Sequence, residues 1–304
     1  MITTLDELSG FLRTHRIDAE DLQKLDIDAS SAHAFALEID SAHELDVWHT
    51  FHDLVHQTHY YPLLVEDWSN DRDFFLRSCY EHEQSVGLIP DVAPDAILAA
   101  VSHADIGSYL RQQESLRSED LAEEIDWERE RTREQFGACP TTEAIVSLVE
   151  RQVIRSTVDL ERWLFQWERQ TFGDTQALGA IDTCYLDWFD TENVTSIMLL
   201  LPVLEGWNTL AYLHWYGAFN SGTPIAIQFL KQWRRDYGAE LVCHYGTMLQ
   251  FLVGRSPATP EAAFHLAWEQ VALAECTTIL PGVSIREHAR ALLMMDRWFL
   301  HERP

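Results

Sequence analysis

The acidic residues of this 304-residue chain are concentrated in its first two thirds. Residues 1–100 carry a net charge of −15, residues 101–200 carry −11, and residues 201–304 carry −1, within a total of −27. The last third is also richer in apolar, strand-like runs bounded by glycine. We therefore expect an α+β protein: an acidic, helix-rich part with a few strands over residues 1–180, and an α+β domain with a mainly antiparallel sheet over residues 181–304.

Apolar residues are frequent enough to build a folded core. They make up 46% of the chain, which contains 11 Trp, 14 Phe and 9 Tyr. Acidic chains that stay disordered are poor in aromatic residues, and a chain of this length buries most of the surface that it exposes when unfolded. The sequence therefore predicts a folded protein.

Cysteine usage and the N-terminus indicate a cytoplasmic protein. The five cysteines are widely spaced and form no Cys-x-x-Cys pair, which favours reduced thiols over a disulfide framework. The N-terminus lacks the apolar segment of a signal peptide. The longest apolar run, residues 197–204, is interrupted by Pro202 and is far shorter than the roughly 20 residues that span a bilayer.

Hydrophobic periodicity and turn residues divide the chain into helices and strands. Helices are predicted over residues 4–12, 41–59, 71–83, 94–104, 106–136, 141–172, 223–237, 259–276 and 284–293. Strands are predicted over residues 33–40, 60–65, 184–190, 196–204, 211–217, 239–246, 248–254 and 296–302. Ser41 is the predicted N-cap of the second helix, with Glu44 in the capping-box position.

Several motifs of the C-terminal third form a recognisable series. They are LPVLEGWNTLAYLHWYGAFN, then the segment from QFLKQWRRDYGAELVCHYG to EAAFHLAWEQ, and the closing RWFLHE. Together they resemble the domain of unknown function 4253 family, and YYPLLVEDW is similar to a shorter upstream pattern of that family. The resemblance implies no particular activity.

The sequence departs from the family pattern at two places. The family turn carries Cys-Pro, whereas Ser221, Gly222 and Thr223 precede Pro224 in this chain. The family's later Cys-Pro-Asp is replaced by residues 276–278, Cys-Thr-Thr. The resemblance thus implies that any chemistry of those Cys and Asp residues is lost, which favours a non-enzymatic protein.

The acidic excess predicts a partner-binding face. Residues 17–71 hold thirteen acidic residues against the single base Lys24, and such a field attracts basic partners while it repels nucleic acid and anionic membranes. The residues predicted to bind the partner are Asp26, Asp28, Glu38, Asp40, Glu44, Asp46, Asp53, Glu66, Asp67 and Asp71.

These observations predict a non-enzymatic binding protein. Its concrete form is a bacterial immunity or inhibitor protein whose acidic face blocks a basic toxin, such as a nuclease. No cofactor, nucleic acid or membrane is expected as a ligand, and no catalytic residue is assigned. The alternative is a metal- or cysteine-dependent enzyme of unknown reaction, for which Cys243 beside His244 is the nearest nucleophile–base pair.

Four histidines are the candidates if a metal does bind. His49, His52, His56 and His59 are spaced so that a continuous helix places them within about 80° of one another. His52 and His56 are one turn apart, the spacing with which two imidazoles share a zinc ion. Because the four lie at the margin of an apolar stripe, we favour structural or surface histidines and predict no metal.

Overall fold

The computed structural model of the chain describes residues 2–27, 29–65, 93–118, 121–179, 181, 183–188 and 195–303. These residues form two compact units. Unit 1 comprises Met1–Ala104, Trp188–Gly254 and Arg297–Pro304, and unit 2 comprises Asp105–Asp187 and Arg255–Asp296. The chain thus passes from one unit to the other four times, which differs from the predicted division at residue 180.

The described elements are numbered in chain order. The helices are α1 (Leu5–His15), α2 (Glu44–Asp53), α3 (Val55–Thr58), α4 (Pro94–Val101), α5 (Ile106–Leu116), α6 (Leu121–Phe136), α7 (Thr142–Glu150), α8 (Thr157–Phe172), α9 (Asp174–Gly179), α10 (Ala218–Ser221), α11 (Thr223–Tyr237), α12 (Pro260–Leu273), α13 (Cys276–Ile279) and α14 (Ile285–Leu292). The strands are β1 (Glu20–Asp26), β2 (His33–Asp40), β3 (Tyr61–Val65), β4 (Thr195–Leu201), β5 (Glu240–His244), β6 (Met248–Leu252) and β7 (Arg297–His301).

Unit 1 is built on a seven-stranded sheet in the order β1-β2-β4-β3-β5-β6-β7. Among the described strands, β3 and β5 run parallel and the other neighbours run antiparallel. The predicted α+β class with a mainly antiparallel sheet is therefore confirmed. β4 lies between β2 and β3 although it is distant from both in sequence, because its run of apolar residues fits a central position.

The central strands of unit 1 are buried on both faces. Ala34, Phe35, Ala36 and Leu37 of β2 have no exposed surface, whereas the alternation in this segment predicted a half-buried strand. A strand that is covered on both faces has a nearly continuous apolar sequence. In β2 this apolar run is hard to recognise because two of its residues are small alanines. The edge strand β1 is mostly exposed and carries charges, which protect a sheet edge from pairing with other chains.

Unit 2 is helical in its described residues. One of its apolar clusters is formed by α6, α7, α8 and the turn between the last two, and its fully buried members include Ile145, Leu160 and Leu164. The helix predicted over residues 106–136 is divided into α5, which ends at Leu116, and α6. The helix predicted over residues 141–172 is likewise divided into α7 and α8. Ser156 caps α8 by accepting the Asp159 N–H at 3.2 Å, which is why a new helix starts there.

Three other predicted elements also differ. The helix over residues 41–59 is a 3₁₀ turn, Ser41–His43, followed by α2 and α3, and its cap is Asp40 rather than Ser41. The segment predicted as a strand over residues 184–190 contains a 3₁₀ turn, Cys184–Leu186. The segment predicted as a strand over residues 211–217 begins at the end of another 3₁₀ helix, Gly206–Ala211. The predicted helix over residues 71–83 lies outside the described residues.

Among the described residues, no helix is both long enough and apolar enough to cross a membrane.

Close packing around Tyr61 predicts that Gly206→Ala destabilises the protein. A Cβ on Gly206 would lie 2.5 Å from the Tyr61 hydroxyl oxygen, and this hydroxyl donates to the Leu241 carbonyl at 2.9 Å. The ring is 1% exposed and has little room to move. We expect the free energy of unfolding to fall by about 1–3 kcal/mol, as in other overpacked cores, measured by urea unfolding.

Gly10→Ala is the matched control. Gly10 lies inside α1, and no atom lies within 4 Å of the position that an added Cβ would take. Alanine is favoured over glycine inside a helix by about 0.5–1 kcal/mol, so this variant should gain stability. A Gly206→Ala protein as stable as the wild type would contradict the packing described around Tyr61.

Candidate functional site

The acidic residues of the N-terminal segment gather at one end of the β1–β2 hairpin. Glu20, at the start of β1, lies directly opposite Glu38 near the end of β2. Asp40 ends β2, and Glu44 and Asp46 follow in the first turn of α2. Like charges directly opposite each other on adjacent strands destabilise a sheet. We call these five residues the acidic end.

The charge of the acidic end is open to solvent. Glu20, Asp40 and Asp46 are exposed, and none of the three forms an ion pair within the described residues. The Asp40 carboxylate also caps the 3₁₀ turn that follows β2, and Glu44 accepts a hydrogen bond from the Ser196 hydroxyl. The acidic end is therefore an accessible patch of negative charge.

Two other predicted site residues lie away from the acidic end. Asp26 lies at the opposite end of the hairpin, with its carboxylate 2.9 Å from Nδ1 of His33. Seven residues of extended strand, about 23 Å, separate His33 from Asp40. Asp53 ends α2, about 10 Å along the helix from Asp46.

Of the ten predicted residues, the structure thus brings together four, which are Glu38, Asp40, Glu44 and Asp46. Four more lie outside the described residues: Asp28, Glu66, Asp67 and Asp71. Glu20 was not predicted, although it belongs to the same acidic run of the sequence. Its position opposite Glu38 depends on the pairing of β1, a strand that the sequence did not indicate.

A break in the helix divides the four histidines that the spacing placed on one face. Leu54, between α2 and α3, has non-helical backbone angles, and His59 lies beyond α3 in the left-handed conformation. His49, His56 and His59 are exposed, whereas His52 is half-buried. Across the ranges that the structure describes, no three His, Cys, Asp or Glu side chains are grouped to hold a metal ion.

His52 is held by an aromatic and ionic cluster. Its ring stacks on Trp48 with centroids 4.6 Å apart and meets the edge of Tyr61 at 5.7 Å. Its Nε2 lies 3.4 Å from Oε1 of Glu240, which Arg234 Nε contacts at 2.6 Å. The cluster thus connects α2 with β3, β5 and α11, and His52 contributes to the packing of unit 1.

The cysteine beside a histidine is buried within the sheet. Cys243 is 1% exposed, and burial raises the pKa of its thiol far above the ordinary value. Burial, followed by the nearby His214, lowers the pKa of His244 to about 3. A thiolate nucleophile needs a lowered pKa and access to its substrate. Cys243 and His244 therefore do not form the pair that a cysteine-dependent enzyme requires.

A buried arginine connects three helices of unit 2. Arg286, on α14, has no exposed surface. Its Nη1 donates at 2.5 Å to Glu128 of α6 and at 2.5 Å to Glu161 of α8, and its Nε donates at 2.9 Å to Glu168 of α8. Arg290, one turn along α14, also donates to Glu168. We call these five residues the ionic cluster.

Two carboxylates of the ionic cluster line a cleft of about 300 Å³. Burial, followed by the negative charge of Glu128, raises the pKa of the Glu161 carboxyl to about 7. Such a shift marks many functional sites, and buried structural ion pairs also produce it. Both Glu161 oxygens already accept hydrogen bonds, from Arg286 and from the Ile285 N–H, so we assign Glu161 a structural role.

The ionic cluster was not predicted, although the sequence contains a signal for it. Glu161 and Glu168 are two helical turns apart on the wide apolar face of α8, and Arg286 and Arg290 are one turn apart on α14. Charged residues are almost never fully buried unless they are paired. Charges at core positions of two helices therefore indicate that the helices pair with each other.

The fold and the surface define an α+β protein with an accessible acidic end. Residues 197–301 match the family model Domain of unknown function (DUF4253), which confirms the predicted resemblance over the C-terminal third. The matched segment includes Arg286 and β5 to β7. No curated protein matches the chain, and no solved structure matches it.

The raised pKa of Glu161 predicts a pH-dependent effect of Glu161→Gln. Deprotonation of Glu161 is less favourable in the folded state, so the contribution of this one carboxyl group to stability should fall as the pH rises from about 4.5 to 7 and stay low above pH 7. The variant lacks this titration. Its free energy of unfolding relative to the wild type should rise over that interval by on the order of 2–3 kcal/mol, measured by urea unfolding.

Glu168→Gln is the control, because it makes the same chemical change in the same cluster. It removes the carboxylate that both Arg286 and Arg290 contact, and breaking a buried ion pair costs about 3–5 kcal/mol. We expect this variant to be destabilised throughout the pH series. Parallel stability curves for the wild type and Glu161→Gln would contradict the raised pKa.

Proposed function

We propose that this protein is a non-enzymatic binding protein whose acidic end docks onto a basic partner protein. In its concrete form it is a cytoplasmic immunity or inhibitor protein that blocks a basic toxin, such as a nuclease, by occupying the toxin's cationic cleft. The proposal rests on the surface chemistry of unit 1, since the matched family description assigns no activity.

The observation that carries the proposal is the pairing of Glu20 with Glu38 on adjacent strands. Two carboxylates in this position repel each other and lower the stability of the hairpin. Asp40 and Asp46 increase the local negative charge from the neighbouring turn and helix. A cationic partner would relieve this repulsion, so the arrangement that is unfavourable in the free protein becomes favourable in a complex.

Electrostatics also determine what the acidic end excludes. Phosphate groups of nucleic acids and anionic lipids are repelled by a carboxylate patch, whereas a basic protein is attracted over a distance of about 10 Å at moderate salt. Complementary charges mainly increase the association rate and the specificity of a complex. An inhibitor that has to reach a toxin quickly benefits from this form of recognition.

The proposal predicts a salt-sensitive complex that depends on the acidic end. Immobilised wild-type protein should retain basic proteins from a lysate of the source organism at about 50 mM salt and lose most of them at about 500 mM, because salt screens exposed charges. The variant Glu38→Gln, Asp40→Asn, Asp46→Asn should retain them weakly. Mass spectrometry identifies the retained proteins, and an activity assay of each tests whether the wild type inhibits it.

A second triple variant controls for net charge. Asp6→Asn, Asp26→Asn and Asp53→Asn remove the same number of charges from unit 1 at exposed positions outside the acidic end. We expect this protein to bind like the wild type. Equal losses in the two triple variants would indicate non-specific attraction to an acidic protein, and retention that is the same at both salt concentrations would exclude the proposed electrostatic contact.

A further inference from the structure

One face of α6 borders a groove in unit 2 that the proposed function does not use. The groove has a volume of about 470 Å³ and is lined by Trp127, Glu130, Arg131, Glu134, Gln135 and Glu287. We call it the α6 groove. Arg131 also lines the cleft above Glu128 and Glu161, so the two concave surfaces adjoin along α6. Concave surfaces with an exposed aromatic side chain are common recognition sites.

Trp127 is the least expected residue of the α6 groove. Its side chain is 64% exposed, although α6 places other residues, such as Leu121 and Ile125, in the core. Nearby in the adjoining cleft, Ile279 is 59% exposed. Tryptophan is among the residue types enriched in the side chains that dominate binding energy in protein interfaces, so an exposed Trp in a groove indicates a contact surface.

The charges around Trp127 determine which ligand fits. Glu130, Glu134 and Glu287 line the same groove. Arg131 is already engaged, because it donates to the Gly282 carbonyl at 2.7 Å and to Glu287 at 3.0 Å. Glu134 is exposed and forms no salt bridge within the described ranges. Glu130 is bound to Arg133, so Glu134 is the lining carboxylate that is left to pair with a cation beside the indole ring.

We propose that the α6 groove binds a basic segment of a partner protein, with Arg or Lys side chains over the Trp127 ring and beside Glu134. A cation within about 6 Å of an indole face is attracted by the negative charge of the ring face, and the Glu134 carboxylate adds to this attraction. The same carboxylate repels nucleic acid and phosphorylated segments. The inference goes beyond the proposed function, because it concerns unit 2 and does not involve the acidic end.

A short peptide titration tests the proposal. The probe is tetra-arginine with blocked ends, and tetra-citrulline is the control peptide, because citrulline keeps the shape of arginine without its charge. Each of the 11 tryptophans contributes one indole N–H signal to the nitrogen–proton correlation spectrum of the full chain. We expect tetra-arginine to shift the Trp127 signal, assigned from its loss in Trp127→Phe, in a saturable manner, and tetra-citrulline to leave it in place.

Two pairs of variants separate the groove from general acidity. Trp127→Ala should weaken tetra-arginine binding by about three- to fivefold, the effect of one exposed cation–π contact, while Leu116→Ala, at a residue that is also exposed and outside the groove, should not. Glu134→Gln should weaken it by about two- to threefold. Glu150→Gln makes the same change in net charge at an exposed position of α7 that lines neither the groove nor the adjoining cleft, and it should bind like the wild type.

The outcomes are decisive in both directions. Unchanged affinity in Trp127→Ala, equal losses in Glu134→Gln and Glu150→Gln, or equal binding of the two peptides would each overturn the proposal. A wild-type unfolding midpoint in each variant confirms that it folds. The triple variant of the acidic end should bind tetra-arginine at the α6 groove as the wild type does, so failure of the proposed function and failure of this inference are distinguishable.

Discussion

The structure of unit 2 depends on the neutralisation of one buried guanidinium. Arg286 has no exposed surface, and its charge is compensated by Glu128 on α6 and by Glu161 and Glu168 on α8. Desolvation makes a buried ion pair a weak source of net stability, whereas the loss of one partner is strongly destabilising. We infer that the ionic cluster chiefly fixes how these helices align, since other registers would leave a charge buried without a partner.

Because of the ionic cluster, part of the negative charge of the chain is buried and compensated by arginine. Glu128, Glu161 and Glu168 count among the acidic residues of the first two thirds, yet they are buried and bound to arginine. They contribute little to an external field. At the acidic end, by contrast, Glu20 and Glu38 oppose each other with no basic partner in the described residues. The acidic excess therefore has two roles, internal compensation and surface recognition, which a count of charges along the sequence cannot separate.

Local signals predicted much of the fold, and long-range pairing determined the remainder. Strong apolar runs and turn glycines predicted β3, β5, β6 and β7, because each is specified by neighbouring residues. β1 was missed, since its sequence EDLQKLD is that of an exposed edge strand with little apolar pattern. The buried run over residues 211–217 was assigned to a strand because a short apolar run does not distinguish buried secondary structures. The partners of Arg286 are 118 to 158 residues away, a separation that no local pattern reveals.

The family match and the fold together show that the matched segment cannot be read as a self-contained domain. Residues 197–301 contain most of β4, whose two neighbours in the sheet, β2 and β3, lie outside that range. They also contain Arg286 and Arg290, whose carboxylate partners lie outside it. By itself this segment would expose both edges of β4 and leave two arginines without compensation. In unit 1, the register that places Glu38 opposite Ile197 positions the acidic end. The family-like segment is therefore the scaffold that orients an acidic surface contributed by the upstream chain.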